Sequence, residues 1–151
     1  MRADYVFHVF NKHLDQLIAV LEQCPPDKRD VIPHGFKNHI HWHLGHVIAV
    51  TQFHVYGLSG EAPIFPEIYD TLFAYGTKPG DWEEAPPQWD VLIAQLEDLR
   101  RAIHETFENR LDEPVAENFL KAENIGELIY ATSLHLFYHQ GAVYGINNAL
   151  K

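Results

Sequence analysis

Apolar positions recur at three- and four-residue intervals in four separate stretches of the chain, and the strict alternation that marks a half-buried strand occurs in none. The first stretch runs from Ala3 to about Gln23, with Phe7, Phe10, Leu14, Leu17 and Leu21 on one stripe. Pro25 and Pro26 cannot continue it. A second helix is predicted from His39 to near Leu58, with Asn38 as N-cap and Gly57, Ser59 and Gly60 as the stop. It is apolar on more than one side, which predicts a central position. The third, from about Pro87 to Arg110, carries Trp89, Leu92, Leu96, Leu99, Ile103 and Phe107. Pro87 stands near its start, where a missing N–H costs nothing. The fourth starts at Asn124, with Glu127 three residues on in the manner of a capping box, and can run to Leu150.

Residues 59–86 interrupt this periodicity with Pro63, Pro66, Gly76, Pro79, Gly80 and Pro86, interleaved with Phe65, Tyr69, Phe73, Tyr75 and Trp82. Such a segment has too many breakers for a long helix and too many rings for a disordered linker, so it predicts an ordered cap packed on the helices. The pattern as a whole predicts an all-α chain: a four-helix bundle with a long crossover between helices 2 and 3, forming a single domain over residues 1–151.

Composition narrows the function classes. With 151 residues, 46% of them hydrophobic, the chain can bury a real core. Its 11 Lys and Arg stand against 21 Asp and Glu, a formal charge of −10 that repels nucleic acid and anionic lipid. No stretch approaches the roughly 18 apolar residues of a membrane helix, so the sequence predicts neither a nucleic-acid nor a membrane partner. The single cysteine, Cys24, allows neither an internal disulfide nor a cysteine zinc cage, which fits a reducing, cytoplasmic setting. Cys24 precedes two prolines at a helix C-terminus, where the dipole disfavours a thiolate. Any metal must then be held by His, Asp or Glu.

Histidine is the conspicuous residue: 11 are present, five of them between positions 39 and 54. On the fourth helix, His135 and His139 share a stripe with Leu128, Thr132, Ala142, Val143 and Ile146 and so face the core together. Four residues give roughly 6 Å of rise, which lets two imidazoles converge on one ion. An HxxxH pair taken alone is more often two core histidines. Two adjacent buried rings, however, leave lone pairs that need a partner, and a metal supplies one. On the second helix, His46 lies in the middle of a stripe formed by His39, Trp42, Ala49, Val50 and Phe53. His39 and His43 are expected to be exposed and serve as reserve ligands. His41 and His54 point elsewhere, and they share ordinary surface or core roles with His8, His13, His34 and His104.

Three segments, NHIHWHLGHV at 38–47, LFAYGTKPGDW at 72–82 and LHLFYHQG at 134–141, resemble in order the anchors of the DinB-like metal-binding bundles of bacteria. That family includes thiol S-transferases that use bacillithiol or mycothiol, and the resemblance covers nearly the whole chain. It implies His46 as the family's single histidine ligand and His135 with His139 as its pair, the same three residues that the stripes select. The chain departs from the family at Leu136, where Glu is common, and at Gln140 and Ala142. These departures spare the triad but weaken any transfer of substrate.

Three imidazoles leave a coordination position for water or substrate, the mark of a catalytic site. The resemblance implies a metal-dependent thiol transferase or hydrolase acting on a small molecule, with a low-molecular-weight thiol as the co-substrate of the transferase, and a homodimer. Zinc and nickel both suit imidazole. Trp42, Phe73, Trp82 and Tyr138 are the candidate pocket residues. No general base is identified, since Glu127, Asp81 and Tyr138 are each better explained as cap, loop or packing residues. The competing expectation is a non-enzymatic stress-response protein whose metal is structural or sensory.

Overall fold

The computed structural model describes all 151 residues and contains helices but no strands. Helix α1 spans Ala3–Glu22 and buries Val6 together with the predicted stripe of Phe7, Phe10, Leu14, Leu17 and Leu21. It packs mainly along α5, Ile125–Ala149. The open ends of these two helices are tied across the interface. The Asn147 amide donates to the Val20 carbonyl at 2.8 Å, and Lys28 Nζ donates to the Leu150 carbonyl at 2.6 Å. The second bond sets a cation against the negative end of α5.

Helix α2, Ile40–Gln52, is buried nearly throughout and packs against α5, against the short helix α3 (Ile68–Phe73) and against α4 (Trp89–Phe107). It is the central element that its apolar faces predicted. Its N-cap is His39 rather than Asn38: the chain stays extended through His39, whose Nδ1 accepts from the Trp42 N–H at 3.0 Å. Helix α2 runs on into one wide π-turn, Phe53–Gly57, which ends at the predicted glycine stop. Helix α4 buries the expected Trp89, Leu92, Leu96, Leu99, Ile103 and Phe107, and α5 is capped by Asn124 Oδ1 accepting from the Glu127 N–H at 2.9 Å. Glu127 closes back on the Glu123 N–H at 2.7 Å, one residue before the cap.

The crossover is ordered and pinned to α2. Gln52, buried on α2, accepts through Oε1 from the backbone N–H groups of Ile64 and Phe65, both at 2.7 Å. The Trp42 indole donates to Thr77 Oγ1 at 3.0 Å, and the Trp82 indole donates to the Leu72 carbonyl at 2.8 Å. Phe73 is fully buried, with its ring edge-on to Tyr69 and to Trp82, 5.8 Å from each. It lies so close to α2 that only glycine fits opposite: a Cβ on Gly45 would stand 2.3 Å from the Phe73 ring. No helix is long and apolar enough to cross a membrane.

Candidate metal centre

Helices α2 and α5 bring His46, His135 and His139 together, each offering a ring nitrogen within 4.8 Å of the others. Their ring centroids lie 4.4 Å apart for the pair on α5, and 4.6 and 5.2 Å from His46 to His139 and His135. Nitrogens sharing an ion at about 2.0–2.1 Å are at most about 4.2 Å apart, so slight ring rotation closes the set. This three-histidine group could hold a metal ion, and no carboxylate or thiol joins it.

The surroundings suit ligation. His46 Nδ1 lies 2.7 Å from the Phe73 carbonyl, which can only accept, so Nδ1 carries the proton and Nε2 keeps its lone pair. Trp42 stacks on the His46 ring at 4.4 Å and fixes its plane. Gly45 makes this arrangement possible by admitting Phe73. His139 Nδ1 lies 2.9 Å from His43 Nδ1, so one ring donates and the other accepts. With His43 accepting, Nε2 of His139 is free to ligate. His135 Nδ1 is buried with no hydrogen-bond partner, an orphaned polar atom of the kind a bound cation would satisfy.

Burial keeps the rings neutral. It holds the His46 pKa below its ordinary value against the pull of the Phe73 carbonyl. His135 is pushed down to about 3 and His139 to about 2, first by burial and then by neighbouring imidazoles. At neutral pH the lone pairs are therefore unprotonated and available.

Two expectations about the other histidines are corrected. His39 and His43 are not surface residues: His39 is buried as the α2 cap, and His43 is half-buried beside His139, with burial lowering its pKa to about 4. His54 also fails to point away. It lies 5.7 Å from the His135 ring and is pushed down to about 4 by burial and then by His46. His41 is a satisfied core residue, its nitrogens 3.0 Å from Asp30 Oδ1 and 2.9 Å from the Pro87 carbonyl. His104 stacks on Phe7 at 4.2 Å.

A cavity of about 620 Å³ opens beside the triad, with His46 and His135 in its wall. The same α2 face supplies Ala49, Val50, Phe53 and His54, α5 supplies Ala131, the crossover supplies Asp70, Ala74 and Tyr75, and the loop before α5 supplies Phe119 and Leu120. None of the expected pocket residues is among them. Phe73 and Trp82 are taken up by the packing between crossover and α2, Trp42 is stacked behind His46, and Tyr138 is 71% exposed on α5. The signal for His54 was present in the sequence, because positions 46, 49, 50, 53 and 54 form one α-helical stripe. Phe119 and Leu120 lie in a loop with no periodicity to reveal them.

Compared with known proteins, the chain finds no match among curated proteins. Residues 10–143 match the DinB superfamily, and the chain, an all-helical protein with a three-histidine group able to hold a metal, belongs to that superfamily.

Proposed function

We propose that the protein is a divalent-metal-dependent enzyme acting on a small molecule, with zinc or nickel held by His46, His135 and His139. One observation carries this reading: two of the three imidazoles stand in the wall of an open, largely apolar cavity rather than being sealed in the core. A purely structural ion is normally enclosed by protein ligands.

The ion, when bound, supplies Lewis acidity that lets a thiol or water lose its proton near neutral pH. The chain's own residues do the rest. The Phe73 carbonyl and His43 orient two of the ligands, and Val50, Phe53 and Leu120 offer apolar surface that excludes water from a bound molecule. Glu127, Asp81 and Tyr138 do not line the cavity, so none of the three is placed to act as a base; besides the triad, the titratable side chains along the wall are His54, Tyr75 and Asp70, the last two exposed at the mouth. Thiol transfer is favoured over hydrolysis because a free thiol with a pKa of about 8.5 starts much closer to ionisation than water at about 15.7 and has less need of a base. A low-molecular-weight thiol as one substrate and a cytoplasmic location complete the proposal.

Chelation and reloading with zinc or nickel, followed by assays pairing small thiols with electrophiles such as 1-chloro-2,4-dinitrobenzene, tests it. Metal-dependent thiol consumption is expected, with an ion that exchanges while the helices persist. An ion that leaves only on unfolding, with no thiol consumed, would favour a structural or sensory metal.

A further inference from the structure

We infer that His54 is a substrate-anchoring hydrogen-bond donor, and that the cavity takes a neutral, aromatic-sized molecule carrying a hydrogen-bond acceptor. This rests on the cavity being the substrate site of the proposed enzyme.

The argument begins with Thr132, which is fully buried on α5 and whose hydroxyl has one partner, His54 Nδ1 at 3.3 Å. Were Nδ1 protonated, the hydroxyl would have to accept, and its own hydrogen would be sealed in the core without an acceptor. The hydroxyl therefore donates to Nδ1, and the ring proton sits on Nε2. Nε2 bonds to nothing in the protein, yet it is not among the buried atoms sealed without a partner, so it reaches open space. His54 is only 6% exposed, and it lines the cavity. An imidazolium would also carry a proton on Nε2, so the donor does not depend on the ring's charge.

The rest of the lining decides what this donor meets. Phe53 and Phe119 lie nearly parallel with centroids 6.1 Å apart, and Ala49, Val50, Leu120 and Ala131 are apolar. Asp70 is exposed and Tyr75 is 94% exposed, so both sit at the mouth. A carboxylate there, on a chain of formal charge −10, discourages anions. A molecule rich in polar groups would leave most of them unpaired against these walls. A neutral compound with a carbonyl or nitro oxygen leaves neither itself nor His54 unpaired, and it sits next to His135 when it does so.

Acetophenone and ethylbenzene, alike in size but differing in the carbonyl, are suitable probes. Their affinities for the full chain, zinc-loaded and metal-free, can be measured by NMR titration. His54→Phe should weaken acetophenone roughly three- to tenfold, the worth of one hydrogen bond, and leave ethylbenzene within about twofold. His54→Gln, whose amide N–H can replace Nε2–H, should recover part of the loss. Thr132→Val, which removes the hydroxyl with little change of shape, should also weaken acetophenone selectively. Side-chain ¹⁵N shifts of the unsubstituted protein should report the Nε2–H tautomer, a readout that needs no variant to fold. An Nδ1–H tautomer, an affinity ratio unchanged in His54→Phe, or failure of both probes to bind would each overturn the inference. Zinc content, followed in parallel by elemental analysis, reports separately on the metal reading, because the metal-free titration tests His54 alone.

Discussion

Gly45→Ala adds one methyl group that touches no ligand, yet it should loosen the metal centre. The new Cβ would stand 2.3–2.4 Å from three atoms of the Phe73 ring, where carbon–carbon contact needs about 3.5 Å or more. The ring or the helix must therefore give by about 1 Å. Phe73 has nowhere to go: it is 0% exposed and wedged edge-on between Tyr69 and Trp82. Overpacking of this kind costs about 1–3 kcal/mol, against which Ala gains about 1 kcal/mol in helix propensity, so the net loss of stability should be no more than about 2 kcal/mol. The larger effect is on binding. A 1 Å retreat stretches the 2.7 Å bond from His46 Nδ1 to the Phe73 carbonyl beyond hydrogen-bonding range, and loss of such an outer partner lowers metal affinity about 10- to 100-fold. Zinc affinity measured by competition with a chromophoric chelator, alongside urea denaturation, separates the two effects. Gly141→Ala is the control: nothing lies within 4 Å of its Cβ, so it should stabilise α5 by about 1 kcal/mol and leave zinc binding alone. Wild-type zinc affinity in Gly45→Ala would refute the claim that the carbonyl governs His46.

Further outcomes follow from the same geometry. His46→Ala, His135→Ala and His139→Ala should each strip the protein of metal by elemental analysis, whereas His41→Ala and His104→Ala should retain it even if they lower stability; full occupancy in all three triad variants would dismiss the site. Metal-free protein should lose stability as the pH falls below about 6.5. His43 and His54, near 4, His135, near 3, and His139, near 2, stay neutral in the fold while the unfolded chain takes up protons. These rings destabilise the fold only as the pH falls from about 6.5 toward their folded values, and not above that window, so denaturation midpoints that are level from pH 7 to 5 would contradict the assignment. Leu134, Phe137, Tyr138 and Tyr144 leave an exposed apolar face on α5, and we propose that it pairs two copies of the chain. Sedimentation should show a homodimer that Phe137→Glu converts to monomer; a wild-type monomer at micromolar concentration would remove this proposal.

Helices α1 and α4 were legible because their predicted stripes are the buried ones, whereas the α2 and α5 stripes also run along the cavity, where Val50, Phe53 and His135 are only partly covered. Leu92, Leu96, Leu99 and Ile103, like Phe10, Leu14, Leu17 and Leu21, occupy core positions that periodicity alone assigned. The boundaries were less legible where a side chain took an unusual part. Asn38 is the better cap by residue type, but the extended backbone runs one residue further and an imidazole does the capping. The three histidines facing one another were legible from spacing, since four residues on α5 and the middle of the α2 stripe point inward. What encloses the space beside them was not. Aromatic content drew attention to Phe73 and Trp82, but whether a ring faces a cavity or a neighbouring helix depends on tertiary packing, and here Gly45 draws Phe73 inward.

That inward pull has a thermodynamic corollary. Phe73 belongs to the crossover, and its carbonyl is bonded to an imidazole of the metal group. Whatever factor this bond adds to ion affinity, the ion must return to the bond, because coupling between two binding equilibria is reciprocal. The segment carrying Asp70, Ala74 and Tyr75, which forms one wall of the cavity, should thus be held more firmly in a metal-loaded protein than in an empty one. Gln52, gripping Ile64 and Phe65 from α2, keeps the far end of that wall fixed in either state. Occupancy should therefore change the protease sensitivity and amide exchange of residues 68–77 more than those of 64–65, so that the crossover would gauge whether a metal is in place.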